Sequence, residues 1–175
     1  MLIFLSLWAF AEASFWFIPP DFLMIPLSIE NKKKWLKIST ITWLSSVAGG
    51  LFYLWWAAHH LSTAQSILEV TPFVNARMHE KISLLYQELG AWGAVFQSWS
   101  FTSFKVWTFG AIKHELNLTH YFTIVIASRL FRFIFISWLF SRCSSWIFPY
   151  WRKNSVVSWI AYSMIFLLIV RIFET

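Results

Sequence analysis

The sequence predicts an all-α integral membrane protein with a single domain. Of its 175 residues, 58% are hydrophobic and only 13% are charged, whereas a soluble domain carries about a quarter charged residues. Aromatic residues make up 21%, including 13 Trp and 19 Phe. Trp and Tyr concentrate where lipid meets water. Several apolar stretches also approach the roughly 20 residues that a helix needs to span a bilayer. The length favours one domain, 1–175.

Three apolar stretches are long enough, or nearly so, to be transmembrane helices. They are residues 38–58, 121–140 and 155–171. The stretch 61–89 mixes acidic and basic residues, and we expect it to form a polar, helical connector outside the membrane.

Two further apolar stretches fit re-entrant hairpins better than spans. Residues 1–29 are too long for one span and too short for two, and Pro19 and Pro20 stop a continuous helix at their centre. They predict hairpin one, with its turn at these prolines. Residues 91–112 contain Gln97, Lys105 and several hydroxyl side chains. This polarity favours contact with protein or water over lipid, which predicts hairpin two.

The distribution of cations supports this topology. The predicted loop 30–37 carries four lysines, and the predicted loop 142–154 carries two arginines and a lysine. Both should be cytoplasmic, and they lie on one side only if 91–112 turns back. The result is two inverted units, each a hairpin followed by a span, which is a transporter architecture. Ser46 and Arg129 are 83 residues apart, as are Gly49 and Arg132, which is a repeat of architecture and not of residue type.

Five charged residues lie within apolar sequence, where each costs at least about 2.5–3.5 kcal/mol in lipid. They are Glu12, Asp21, Lys105, Arg129 and Arg132. The two acids and three bases can pair with each other or line a polar pocket.

Each charge has a functional and a structural interpretation. Glu12 and Asp21 are candidates for a proton or charge relay, because burial and nearby cations shift a carboxyl pKa in opposite directions. Alternatively, Asp21 caps a helix and Glu12 forms a static ion pair. Lys105, Arg129 and Arg132 are candidates for binding a lipid phosphate, since guanidinium binds phosphate bidentately. Alternatively, they neutralise the acids.

Other motifs narrow the function classes. Gly49 and Gly50 in the first span predict close helix packing. Metal-ligand spacing, a nucleophile constellation, a phosphate loop and a nucleic-acid module are all missing from the sequence. We therefore expect no enzyme activity, no metal, no cofactor and no nucleic-acid partner. The net charge of +6 is assigned to orientation and to anionic lipid. Ala11-Glu12-Ala13 mimics a signal-peptidase site, but the preceding apolar run lacks Lys and Arg, so we expect it to be retained.

With these motifs placed, the chain resembles the DedA superfamily of VTT-domain (SNARE-associated-type) membrane proteins, and its YqaA-like branch in particular. The first resemblance covers 10–54: an acidic residue, a short spacer, the Pro19-Pro20-Asp21 turn and a Gly-containing span. The second covers "FKVWTFGA" (104–111) and "FTIVIASRLFRFIFISWLF" (122–140), which are similar to that branch's hairpin and arginine-pair span. Together they cover over half the chain.

The resemblance implies a multi-pass protein of the bacterial cytoplasmic membrane with two opposed hairpins. It also implies proton-dependent transport of lipid carriers, notably undecaprenyl phosphate. The five charged residues above match the family's charged motif positions. The chain departs from the branch at Phe101 and Ser103, where prolines are usual, and at Leu130-Phe131, where a glycine is usual.

Three functional hypotheses result. The first is a flippase for a phosphate-bearing lipid, with membrane lipids and protons as partners. The second is an assembly or scaffold protein whose buried charges hold helices together. The third is a transporter of a small ion or solute. The sequence leaves open the substrate, the direction of transport and a homodimer.

Overall fold

The computed structural model describes residues 1–71, 74, 76–100, 102–153 and 162–164, and this part of the chain is all-helical. The α-helices are α1 (Leu2–Ser14), α2 (Asp21–Glu30), α3 (Trp35–His59), α4 (Leu61–Val70), α5 (Ala76–Leu89), α6 (Phe104–Lys113) and α7 (Leu118–Lys153). Two 3₁₀ helices accompany them, Lys32–Lys34 and Gly90–Ser98.

The proline pair separates α1 from α2, as the sequence predicts. Proline has no amide hydrogen and disfavours helix in the residue before it. Helix α2 begins directly after Pro20, whose carbonyl accepts the amide of Met24 at 2.9 Å. The indole of Trp8 donates to the carbonyl of Ile18 at 3.0 Å. This bond holds the link between the helices against α1.

A second break divides the predicted hairpin two. The 3₁₀ helix Gly90–Ser98 ends before the break, and α6 begins at Phe104. Gly90 starts the 3₁₀ helix with a φ of 55°, in the left-handed region that glycine adopts without steric cost. Lys105 therefore lies in the first turn of a helix that begins inside the protein.

Helices α3 and α7 run antiparallel. The backbone of Gly50 in α3 lies against the ring of Phe122, near the start of α7. Farther along α3 towards its N-terminus, Ser46 contacts Arg129, and the 3₁₀ turn before α3 contacts α7 near Ser141. The two basic segments of the sequence therefore lie at the same end of this helix pair.

Helix α1 packs directly on α3. A Cβ atom built on Gly49 would lie 3.0 Å from the Cα of Phe10, and closer still to its carbonyl oxygen. Only glycine allows two helix backbones to approach this closely. The hydroxyls of Ser6 and Ser45 join the same two helices at 2.7 Å.

Two apolar cores flank this arrangement. The larger core lies between α3, α4, α5, α6 and the start of α7, and includes Leu68, Tyr86 and Trp107. The smaller core joins α1, α2, α3 and α7 through Leu5, Met24, Leu27, Ile38 and Phe133. Charged side chains occupy the space between the two cores.

The helix boundaries correct some expectations. The predicted span 38–58 lies within α3, and the connector 61–89 forms α4 and α5. The predicted basic loop 142–154 is wrong over residues 142–153, which continue α7. Arg and Lys are good helix formers. A cluster of them therefore does not by itself indicate the end of a helix. The predicted span 155–171 lies outside the described residues, apart from 162–164.

One helix in the described part of the chain is long and apolar enough to cross a membrane, Leu118–Ser144 with a mean hydropathy of 1.7. Helix α3 is 25 residues long, but Ser, Thr, Gly, Trp and Tyr interrupt its aliphatic residues and lower its mean hydropathy. Length and composition alone do not separate a membrane span from the core helix of a soluble protein.

Candidate functional site: a buried charge cluster

Arg129 of α7 joins four separate elements of the fold. Its Nη1 lies 3.4 Å from Oε2 of Glu12 in α1 and donates to the hydroxyl of Ser46 in α3. Its Nε donates to Oε1 of Gln97 at 3.2 Å, and its guanidinium lies 4.7 Å from the centre of the Phe104 ring. Arg129 is 6% exposed and Glu12 is 7% exposed, so this ion pair is largely shielded from solvent.

Arg132, one helical turn later, joins the two broken segments. Its Nη2 pairs with Oδ2 of Asp21, at the start of α2. Its Nη1 donates to the carbonyl of Ser98, the last residue of the 3₁₀ helix. One guanidinium thus neutralises an acid at one helix start and satisfies a free carbonyl at one helix end.

Asp21 does not cap α2 with its side chain. The cap position belongs to Pro20, and the cap makes no side-chain hydrogen bond. Asp21 is the first residue of the helix, where its charge still complements the positive end of the helix dipole. The Oη of Tyr162 donates to its backbone carbonyl at 3.2 Å. The helix dipole and Arg132 therefore stabilise this carboxylate. The side-chain cap that the sequence suggests as an alternative does not form.

Lys105 bonds to backbone carbonyls and not to a carboxylate, the partner that its charge suggests in the sequence. Its Nζ donates to the carbonyl of Glu12 at 2.6 Å and also to that of Trp16. It lies 4.7 Å from the centre of the Phe17 ring, and the residue is 2% exposed. A cation at this point satisfies one carbonyl in the last turn of α1 and another in the link that follows, and it complements the negative end of the helix dipole.

A small cavity of about 30 Å³ lies between the two breaks. Both acids and both arginines line it. The other lining residues come mainly from the breaks themselves: Phe17, Pro19, Pro20, Gln97, Thr102, Ser103 and Phe133. Lys105 is not among them. A water needs roughly 10–15 Å³ measured in this way, so the cavity has room for about two waters.

Two atoms at the cavity have unused hydrogen-bonding capacity. Oδ1 of Asp21 and Oγ of Ser103 are buried and have no hydrogen-bond partner among the described residues. Buried polar atoms are normally satisfied by protein or by ordered water. A cavity of this size beside them meets that need, so the charge cluster includes a site that can hold ordered water.

The structure thus brings all five predicted charged residues into one cluster. Four of them line the cavity: Glu12, Asp21, Arg129 and Arg132. Lys105 lies outside the lining and bonds to the backbone of Glu12 and Trp16. Gly49 and Gly50 lie at helix contacts, and Pro19 and Pro20 border the cavity. Three residues were not proposed as site members from sequence: Ser46, Ser98 and Gln97. The sequence indicates Gln97 and Ser98 only through their polarity, and the 83-residue offset pairs Ser46 with Arg129 without indicating a contact.

Comparison with known proteins adds one relative. The chain is 25% identical over 136 residues to an uncharacterized protein of Haemophilus influenzae, a match that covers 78% of this chain and 70% of that protein. No family model matches the chain, and no solved structure matches it.

Proposed function

We propose that this protein is a DedA-like membrane transporter that translocates a phosphate-bearing lipid, either an undecaprenyl-phosphate-type carrier or a phospholipid, with proton coupling. We place it in the bacterial cytoplasmic membrane as a multi-pass protein. The observation that carries the proposal is the cavity where two broken helical segments meet, lined by two acids and two arginines. Ionisable groups at membrane depth mark ion and substrate pathways by default.

A repeated architecture supports a transporter frame. The starts of α2 and α6, at Asp21 and Phe104, are separated by the same 83 residues that separate Ser46 from Arg129. The starts of α3 and α7, at Trp35 and Leu118, have the same spacing. The corresponding long helices run antiparallel and touch each other. These features fit two inverted units, each a re-entrant hairpin followed by a span, with the binding site at their interface.

The contacts of Arg132 favour phosphate chemistry. A phosphate oxygen and a carboxylate oxygen present the same acceptor to guanidinium. Protonation of Asp21 would weaken its ion pair with Arg132. The N–H groups of that guanidinium could then donate to a phosphate group. Deprotonation would return the arginine to Asp21. Uptake of a proton by Asp21 together with binding of an anion by Arg132 therefore provides a route for proton coupling.

The described conformation is closed to a lipid headgroup. Its cavity holds about two waters, which is less than a phosphate group with its linkage needs. Transport requires the breaks near Pro20 and Ser103 to separate. In this proposal Lys105 holds α1 in position, while Arg129 and Arg132 carry the anion.

A reconstitution assay tests the proposal. Proteoliposomes containing a fluorescent phosphate-bearing lipid should show protein-dependent flipping that responds to a pH gradient. We expect Glu12→Ala and Arg132→Ala to lower the rate by about tenfold or more, as loss of a charge-assisted contact allows, with membrane insertion intact. Glu30→Gln and Lys34→Gln, both exposed, are the matched controls. Normal flipping by both cluster variants would refute the mechanism.

A scaffold function is the second candidate, and one observation favours it. All five charged side chains already have partners within the protein. The cluster can therefore serve only to hold the helices together. A charge swap, Asp21→Arg with Arg132→Asp, separates the two functions. If the pair is only structural, the swap restores the folded protein lost in each single variant, and the swapped and wild-type proteins then behave alike in the flipping assay. If it carries phosphate, the swap restores folding without flipping.

A further inference from the structure

A second basic site lies at the other end of the α3–α7 pair. Lys32 and Lys33 of the 3₁₀ turn, Trp35, Ser141 and Arg142 line a surface pocket of about 370 Å³. The lysines and Arg142 are exposed, and Trp35 is partly buried. Among the described residues that line this pocket there is no acid.

Three positive charges around one concave surface repel each other. Folding brings them together from segments more than 100 residues apart in the chain. The arrangement costs electrostatic free energy unless an anion offsets it. An exposed cation alone requires no ligand. The concavity, the shared positive sign and the lack of a lining acid together do point to one.

The chemistry of the lining favours a phosphate group. Arginine offers a planar fork that matches phosphate oxygens, and the lysines add point charges. The hydroxyl of Ser141 donates to the carbonyl of Trp138 at 2.7 Å, and its oxygen retains acceptor capacity. The indole of Trp35 supplies the amphipathic ring that is typical of a membrane interface. Basic pockets between helices at the cytoplasmic face are known to bind anionic lipid headgroups.

We propose that this pocket binds the phosphate of an anionic phospholipid headgroup, as a resident site separate from the central cavity. The site depends on the membrane location proposed above but not on lipid translocation. A protein that flips nothing would still hold this lipid. A bound headgroup would clamp the start of α3 to α7 at the end where the chain is most basic.

Native mass spectrometry of the detergent-solubilised full chain tests the site. Lipid-free protein is titrated with phosphatidylglycerol and, in parallel, with phosphatidylcholine. We expect the anionic lipid to bind preferentially. Lys32→Gln with Lys33→Gln, and separately Arg142→Gln, should each weaken its binding by about tenfold, the effect expected for lost charge-assisted contacts.

Lys34→Gln with Lys37→Gln provides a matched control. It removes the same charge from the same segment at exposed positions that do not line the pocket. Equal weakening by both lysine pairs, or equal binding of the neutral lipid, would overturn the proposal. Inorganic phosphate supplies the last arm. If it competes with the lipid at millimolar concentration with the same dependence on Lys32, Lys33 and Arg142, the site is a phosphate site. If it saturates the site and no lipid binds, the lipid assignment is overturned.

Discussion

Arg132 bonds to the carboxylate of Asp21 across 111 residues of chain and, with its other terminal nitrogen, to the carbonyl of Ser98. The two partners belong to different broken segments, so this guanidinium fixes the distance between them. Its side chain is 14% exposed and that of Asp21 is 5% exposed. The pair is therefore shielded enough for its charges to matter to stability.

Removing one member of this pair should be worse than removing both. Arg132→Met leaves a buried carboxylate without its cation, and losses of about 3–5 kcal/mol are typical of such broken pairs. Adding Asp21→Asn should recover a large part of that loss. The measurement is the free energy of unfolding of both singles and the double variant in detergent. Additive losses would contradict the coupling.

Gly49→Ala should destabilise the contact between α1 and α3. The new Cβ would meet the backbone of Phe10, which cannot move without shifting the helix, and overpacking of this kind costs about 1–3 kcal/mol. Gly50→Ala is the matched control. Its Cβ would lie 3.2 Å from the tip of the Phe104 ring, a side-chain contact that is relieved by a shift of a few tenths of an ångström without moving a helix backbone. The thermal midpoints of the two variants should differ, and a Gly50→Ala effect as large as that of Gly49→Ala would argue against the backbone contact.

Lys105→Met should loosen the end of α1. The change keeps most of the side-chain volume and removes the donors to the carbonyls of Glu12 and Trp16. Amide hydrogen exchange should then accelerate in residues 12–16, whereas α4 should be unaffected. Lys113→Met, on an exposed position of the same helix, should leave the rate at 12–16 unchanged. If exchange there is insensitive to Lys105→Met, the lysine does not brace α1.

The membrane topology can be tested with single cysteines in a Cys143→Ser background. Lys34→Cys and Arg142→Cys should react with an impermeant thiol reagent from the same side, because the antiparallel pair of α3 and α7 places both at one end. Lys81→Cys in the connector should react from the opposite side. Labelling of Lys34→Cys and Arg142→Cys from different sides would contradict the hairpin assignment of 91–112.

His79 in the connector should make stability fall in mild acid. Burial, together with the charge of Lys113, holds the pKa of His79 below its ordinary value of 6.5, although Glu69 acts in the other direction. The folded state therefore favours the neutral ring, and the unfolded chain takes up the proton first as pH falls through 6.5. Stability from this group is full above that pH and declines below it. In melts from pH 7.5 to 5, His79→Gln should flatten the decline, and an unchanged slope would exclude this group as its source.

The breaks in the fold could be predicted because they follow local backbone rules. Pro19 and Pro20 have no amide hydrogens to donate, so a helix end at that point follows from residue type alone. The break near Ser103 is indicated only by the polar residues around it. The DedA branch that the chain resembles usually has prolines at this point, but here Phe101 and Ser103 replace them. The continuation of α7 through 142–153 does not follow from the sequence pattern, because a cluster of Arg and Lys is common both in loops and on exposed helices.

The site was predictable as a set of charges but not as a set of contacts. Sequence identifies Glu12 and Arg129 as costly in an apolar segment and therefore as partners for something. It does not indicate that Lys105 bonds to the backbone, because every residue carries a carbonyl and only the fold reveals which ones helices leave free. Ser46 was missed for a related reason, since serines are common in apolar helices and most bond within their own helix.

The separation of the charges along the chain has a consequence for biosynthesis. Glu12 and Arg129 are 117 residues apart, and Asp21 and Arg132 are 111 apart. At about 5–20 residues per second, the acids leave the ribosome roughly 6–23 s before the arginines that neutralise them. During that interval the nascent chain carries the carboxylates of Glu12 and Asp21, in its apolar first segment, without these arginine partners. Until α7 is complete, Glu12 and Asp21 lack the arginines that neutralise them, so the final packing of α1 and α2 depends on the synthesis of α7.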